Sequence, residues 1–197
     1  IRESGIGFMF AQAFHPSMRH AGPVRREIGI RTVFNILGPL TNPAGAQSML
    51  VGVAFPELGE KMASVLNLLD THHSIIVHGE GGLDEMTLSG DTSVWEVTGG
   101  KVSNWTLSVA DTGLPVTPIE AIKGGDREAN AKTMRELLGG AGGPVRDYVL
   151  LNSAGVFLVG DLVTNIRDGV QLAAQTLDSG AAKDRLESMI EVSQAGG

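Results

Sequence analysis

From residue 48 onward the hydrophobic pattern changes period in a regular order. Ser48–Phe55 is a short apolar run carrying Met49, Leu50, Val51 and Val53, which predicts a buried strand. Pro56 then opens a helix with Leu58, Met62, Val65, Leu66 and Leu69 on one face. Ser74–Val77 predicts the next strand. Strand, helix and strand at this spacing form a βαβ unit, hence parallel pairing through a right-handed crossover. Residues 93–98 and 101–109 read as a hairpin about Gly99-Gly100, so the sheet is expected to be mixed. Beyond residue 126 the pattern is helical, over 127–138, 145–159, 164–179 and 182–193. Upstream, residues 6–13 predict a mostly buried apolar helix, broken by His15-Pro16. Pro16 suits the first position of a following helix, and Pro23 kinks or restarts it. Residues 33–38 add a short apolar helical turn, stopped by Gly38-Pro39 and Asn42-Pro43. The predicted class is α/β: a mixed central sheet flanked by helices, with a helical excursion at about 15–44.

Composition narrows the function. The chain has 197 residues, 42% hydrophobic and 19% charged, a globular mixture large enough for one substantial core. A net charge of −7 argues against a nucleic-acid binder, whose footprint is basic. One segment departs from this: Arg19, Arg25, Arg26 and Arg31 make residues 19–31 the most basic stretch. No apolar run approaches the roughly 20 residues of a membrane span. No signal-peptide pattern opens the chain. The absence of cysteine excludes disulfides and thiolate metal sites and fits a cytoplasmic setting. Asn104-Trp105-Thr106 matches a glycosylation sequon, with nothing else to suggest secretion. Twenty-seven glycines fall mainly in clusters between patterned segments, and no internal repeat is visible.

Four places could carry chemistry. His15, Met18, Gly22 and Arg25 fall at helical spacing, with Arg26 adjacent. A guanidinium there can grip a carboxylate through two parallel hydrogen bonds, and the imidazole can donate or move a proton. The same residues also read as a solvated helix face with a capping histidine. Asp84 and Glu85 follow Gly79-Glu80-Gly81-Gly82-Leu83 after a strand, where ligands collect in parallel α/β sheets. Paired carboxylates suit Mg²⁺, a hard ion that bridges to substrate phosphates. A regular strand would point the two to opposite faces, so they share a site only on a loop or through water. A solvated acidic turn is the alternative. Lys123-Gly124-Gly125-Asp126 precedes a helix and could present backbone N–H groups to an anion, but Asp126 is a natural N-cap that occupies those donors. His72, His73 and His78 do not suit one metal: 73 and 78 differ in strand parity, and 72 and 78 lie roughly 20 Å apart along a strand. No phosphate-binding P-loop or dinucleotide fingerprint is present.

Residues 7–44 are more specific. The blocks Phe10-Ala11…His15-Pro16 and Arg31-Thr32-Val33-Phe34-Asn35-Ile36-Leu37-Gly38-Pro39-Leu40-Thr41-Asn42-Pro43 resemble the anthranilate phosphoribosyltransferase family. Gly82-Leu83-Asp84-Glu85 and Gly124–Ala131 resemble two further family blocks, in the same order. The resemblance covers essentially the whole chain. It implies a type III phosphoribosyltransferase, nucleoside phosphorylase-like fold. Residues 1–14 would begin the α/β domain, 15–44 would belong to a helical domain, and 45–197 would complete the α/β domain. It implies a tryptophan-pathway transferase that moves a phosphoribosyl group from phosphoribosyl pyrophosphate to anthranilate, with Mg²⁺, as a homodimer built through helical domains. Arg25 would bind anthranilate, with His15, Met18, Gly38 and Pro39 lining its channel and Arg26 a second cation. Asp84 and Glu85 would hold the metal. The family's glycine-rich phosphate loop and Lys-His-Gly-Asn segment have no counterpart here. With Ile1 at its start, the chain reads as a C-terminal part, expected to be inactive alone. Two other readings share the scaffold: a nucleic-acid-binding paralogue and a pyrimidine nucleoside phosphorylase.

Overall fold

A computed structural model describes residues 1–14, 27, 38 and 40–195 of the chain. It divides into two compact units, Ile1–Ala46 with Ser188–Gly197, and Gln47–Glu187. Among the described residues no helix is long and apolar enough to cross a membrane.

The larger unit holds a four-stranded sheet in the order β1 (Ser48–Gly52), β2 (His73–Gly79), β3 (Thr92–Thr98), β4 (Lys101–Leu107). β1 and β2 are parallel, with Ser48 opposite His73 and Gly52 opposite Val77. β2–β3 and β3–β4 are antiparallel, so the sheet is mixed, as the pattern predicts. β3 and β4 are joined by Gly99 and Gly100, both at positive φ (57° and 74°). That backbone matches the right-handed twist of the flanking strands and is open to glycine without steric cost. β2 is buried on both faces, which explains its continuous apolar run Ile75-Ile76-Val77. Each of these fully buried side chains contributes roughly 1.5–3 kcal/mol.

One sheet face packs against the helix that crosses from β1 to β2. A short 3₁₀ turn, Pro56–Leu58, leads into α2 (Gly59–Leu68), numbered after a four-residue helix α1 (Ala11–Phe14) in the smaller unit. Gly59, Met62, Ala63 and Leu66 are buried, and a Cβ on Gly59 would sit 2.3 Å from the Trp95 ring. The expected apolar face is only partly right, because Val65 and Leu69 are exposed (37% and 54%). They fall to the side of the buried 59/62/63/66 stripe, and Leu69 lies past the helix end.

The other face carries the main core. After the short α3 (Val109–Thr112) and the surface helix α4 (Arg127–Leu138) come α5 (Pro144–Val159) and α6 (Ile166–Asp178). Leu150, Leu151, Ala154 and Leu158 of α5 pack with Ile75, Val77, Val94, Val170 and Ala173. Two glycines set the spacing. Gly155 faces Met86 and Ile75, and a Cβ on Gly169 of α6 would lie 2.8 Å from the Ala154 side chain. The last helix, α7, is Ala181–Ala195.

Two further expectations change. The second strand of the hairpin stops at Leu107, because Ser108 and Asp111 form a capping box that starts α3 at Val109. The helix predicted over 6–13 is confined to Ala11–Phe14 in the smaller unit, and Ile6, Phe8 and Phe10 are exposed rather than buried. Gly5 at φ 75° and Gly7 interrupt the run before a helix can nucleate.

Candidate functional site

The C-terminal ends of β1 and β2 open onto a cavity of ≈ 530 Å³. Gly52 and Val77 form its floor, Asp84 and Glu85 one wall, and the outward stripe of α5, including Val149, Asn152 and Val156, the other. Loop 80–91 shapes the acidic wall. Gly81 and Gly82 take positive φ (87° and 86°), which reverses the chain directly after β2. Leu83 then pairs with Gly79: Gly79 N–H donates to the Leu83 carbonyl at 2.9 Å, and Leu83 N–H to the Gly79 carbonyl at 3.2 Å. The loop base is closed by Glu80 N–H to the Asp91 carbonyl at 2.9 Å and Asp91 N–H to Glu80 Oε2 at 3.3 Å.

Beyond this pair the backbone leaves strand geometry, so Asp84 and Glu85 both line the one cavity despite being sequence neighbours. Both side chains are exposed, and neither carboxylate pairs with a described residue. Among the described residues the cavity lining includes no lysine or arginine. Two hard-oxygen donors beside a cleft could hold a partly hydrated Mg²⁺, an ion that takes one or two carboxylates and completes its shell with water and substrate phosphate. Among the described residues no cluster of three or more His, Cys, Asp or Glu could hold a metal.

Of the other expected site residues, His15, Met18, Arg25, Arg26 and Pro39 lie outside the described residues. Gly38 is described and exposed, its carbonyl accepting from Thr41 N–H at 3.2 Å within the smaller unit. Two of the N–H donors before and within the first turn of α4 are taken by side chains. Asp126 Oδ1 accepts from Ala129 N–H at 2.8 Å, and Asn130 Oδ1 takes Gly125 N–H at 2.9 Å.

His72 and His73 build a different cluster, at the opposite end of β2, whereas His78 Nδ1 lies 2.8 Å from the Val53 carbonyl oxygen. His73 is 7% exposed, with Nδ1 at 2.8 Å from Asp161 Oδ1 and Nε2 at 2.9 Å from Glu96 Oε1. His72 Nε2 reaches Asp161 Oδ2 at 2.7 Å, and Trp105 Nε1–H donates to Glu96 Oε2 at 2.9 Å. The hydrogen bonds from His73, then His72, hold the Asp161 carboxyl below the usual aspartate range. Asp161 sits at φ 54°, directly after α5. Sequence reasoning missed this network because its carboxylate is 88 residues away from the histidine.

Residues 1–183 match the family described as "Glycosyl transferase family, a/b domain". The chain is 50% identical over 198 residues to the anthranilate phosphoribosyltransferase of Thermomicrobium roseum, covering 99% of this chain and 57% of that protein. Among solved structures it is similar to the anthranilate phosphoribosyltransferase of Thermus thermophilus, with TM-score 0.89 and 44% identity over 95% of this chain and 56% of that one. It is also similar to the Saccharomyces cerevisiae enzyme in complex with PRPP and Mg, with TM-score 0.83 and 30% identity over 90% of this chain and 51% of that one. The chain thus spans a little over half the length of the relatives it matches.

Proposed function

Since the chain belongs to the glycosyl transferase family defined by that a/b domain, we propose that it is part of an enzyme that transfers a phosphoribosyl group from phosphoribosyl pyrophosphate to the amine of anthranilate. The observation that carries this reading is the placement of Asp84 and Glu85, unpaired, on one wall of the cavity at the strand ends. The identity to relatives that bear this activity in their names supports it.

The bond changes follow from charge. The nitrogen lone pair forms the new bond to the anomeric carbon as its bond to pyrophosphate breaks, and one amine proton passes to water. Negative charge grows on the departing pyrophosphate. When bound, Mg²⁺ neutralises that charge and fixes the phosphate geometry. Asp84 and Glu85 would hold it at the cavity wall, directly or through water. The yeast neighbour carries both PRPP and Mg in its complex. Arg25 grips the anthranilate carboxylate and so aims the amine, with His15, Met18, Gly38 and Pro39 lining its path and Arg26 as a second cation. The amine is already neutral, so these residues act by positioning rather than by deprotonation. Residues 15–44 belong to a helical domain through which the whole protein forms a homodimer.

The test joins the segment of the Thermomicrobium roseum relative that this chain does not match to residues 1–197. Anthranilate fluorescence is then followed with PRPP and Mg²⁺. Loss of fluorescence with release of pyrophosphate is expected, and Arg25→Ala should raise the anthranilate KM far more than the PRPP KM. A folded chimera that binds PRPP but consumes no anthranilate refutes the substrate assignment.

A further inference from the structure

Among the described residues Asp84 and Glu85 carry no hydrogen bond or ion pair of their own, so something else must place them. On their N-terminal side the Gly79–Leu83 pair anchors the chain to the end of β2. On their C-terminal side the anchor comes from α5. Met86 N–H donates to Asn152 Oδ1 at 3.0 Å, and Asn152 Nδ2 donates to the Met86 carbonyl at 3.0 Å. The one amide thus pairs with both backbone groups of the residue that follows Glu85, as a neighbouring strand would. Asn152 Nδ2 is also tied to its own helix through the Tyr148 carbonyl at 3.1 Å. One turn earlier, the Tyr148 hydroxyl lies 3.2 Å from Thr87 Oγ1 and donates to the Thr117 carbonyl at 3.1 Å. The Met86 side chain is fully buried against Gly155 of the same helix.

From these contacts we propose that Asn152 is a positioning residue for the Asp84–Glu85 pair: it transmits the fixed place of α5 to the metal-holding carboxylates. The proposal rests on the reading of that pair as a metal site. Its logic is one of span. Leu83 is held by β2 and Met86 by α5, so only two residues lie between the anchors, and both line the cavity. Partners outside the donor shell that orient the ligands commonly govern metal affinity. Asn152 itself lines the same cavity while spending its amide on the backbone.

The test uses Mn²⁺ as a paramagnetic stand-in for Mg²⁺, titrated into the 197-residue chain and read by broadening of backbone amide resonances. Broadening centred on residues 82–86 is expected in the unaltered chain and should be lost in D84N/E85Q. In Asn152→Ala the midpoint should rise about 10-fold and the broadening should spread beyond the loop. Asp126→Ala, a destabilising change far along the chain, should leave the midpoint unmoved. Broadening that is absent at the outset, or that survives D84N/E85Q, overturns the metal reading and this proposal with it. Normal broadening, lost in D84N/E85Q but unchanged in N152A, overturns the positioning role alone. A second measurement needs no variant. In the metal-free chain the Met86 amide should exchange with solvent slowly while those of Asp84 and Glu85 exchange fast. Fast exchange at Met86 shows that the clamp does not hold and overturns the proposal.

Discussion

Gly52→Ala probes the site from the sheet side. Gly52 ends β1, and an added Cβ would stand 1.5 Å from the Asp84 carbonyl oxygen and 2.4 Å from its carbonyl carbon. Both partners are backbone, so no side chain can turn away. To regain a C···O separation of about 3.3 Å the strand end and the loop must part by roughly 2 Å. Metal ligands tolerate only about 0.5 Å of misplacement before the site weakens. Asp84 should therefore leave the position it shares with Glu85 even if the fold survives. Overpacking of this kind costs about 1–3 kcal/mol, with the upper end favoured by the rigid partners. For a chain of this size that lowers Tm by roughly 6–12 °C at 3 kcal/mol. The assay pairs a thermal melt with the Mn²⁺ titration. The expected outcome is a lower Tm together with a Mn²⁺ midpoint raised by about 10-fold or more. A variant that melts with the parent and binds Mn²⁺ equally would show that Asp84 does not press on the end of β1, and the site geometry drawn above would fail.

Other perturbations test the scaffold. Gly169→Ala gains about 1 kcal/mol of helix propensity but drives a Cβ to within 2.8 Å of the Ala154 side chain and 2.9 Å of its Cα. The clash should win, with a net loss of about 1–2 kcal/mol in urea unfolding, and a stabilised variant would contradict the close α5–α6 contact. Asp126→Ala removes the cap on Ala129 N–H. It should cost about 1 kcal/mol and speed amide exchange in the first turn of α4, and unchanged exchange would deny the cap. Asp161→Asn tests the histidine cluster, at a position whose positive φ asparagine tolerates. Because the Asp161 carboxyl is held low in the folded chain, its stabilising effect is fully present above the ordinary aspartate range. It is lost as pH falls through the lowered value. Urea midpoints measured from about pH 6 down to pH 2 should therefore converge for parent and variant at the acid end, and parallel curves would remove the proposed linkage.

Much of the architecture was legible because its signals are local. Asp126 starts α4 through its own side chain three residues on. Gly99-Gly100 turns the hairpin by backbone freedom alone. The buried run of β2 announces a strand covered on both faces. Asp84 and Glu85 were visible as a glycine-flanked acidic pair, and the condition that they share a site only off the strand was also visible. Tertiary structure alone decided how that pair is held. Asn152 lies 66 residues from Met86, and Gly52 meets the Asp84 backbone from another strand. Neither leaves a mark on its own neighbourhood, since an asparagine in a helix and a glycine ending a strand suit many roles. The same holds for His73, whose meaning depends on a carboxylate brought to it by the turn after α5. Periodicity and capping are set by residues within about one turn of each other, whereas these contacts exist only once α5 has packed across the sheet.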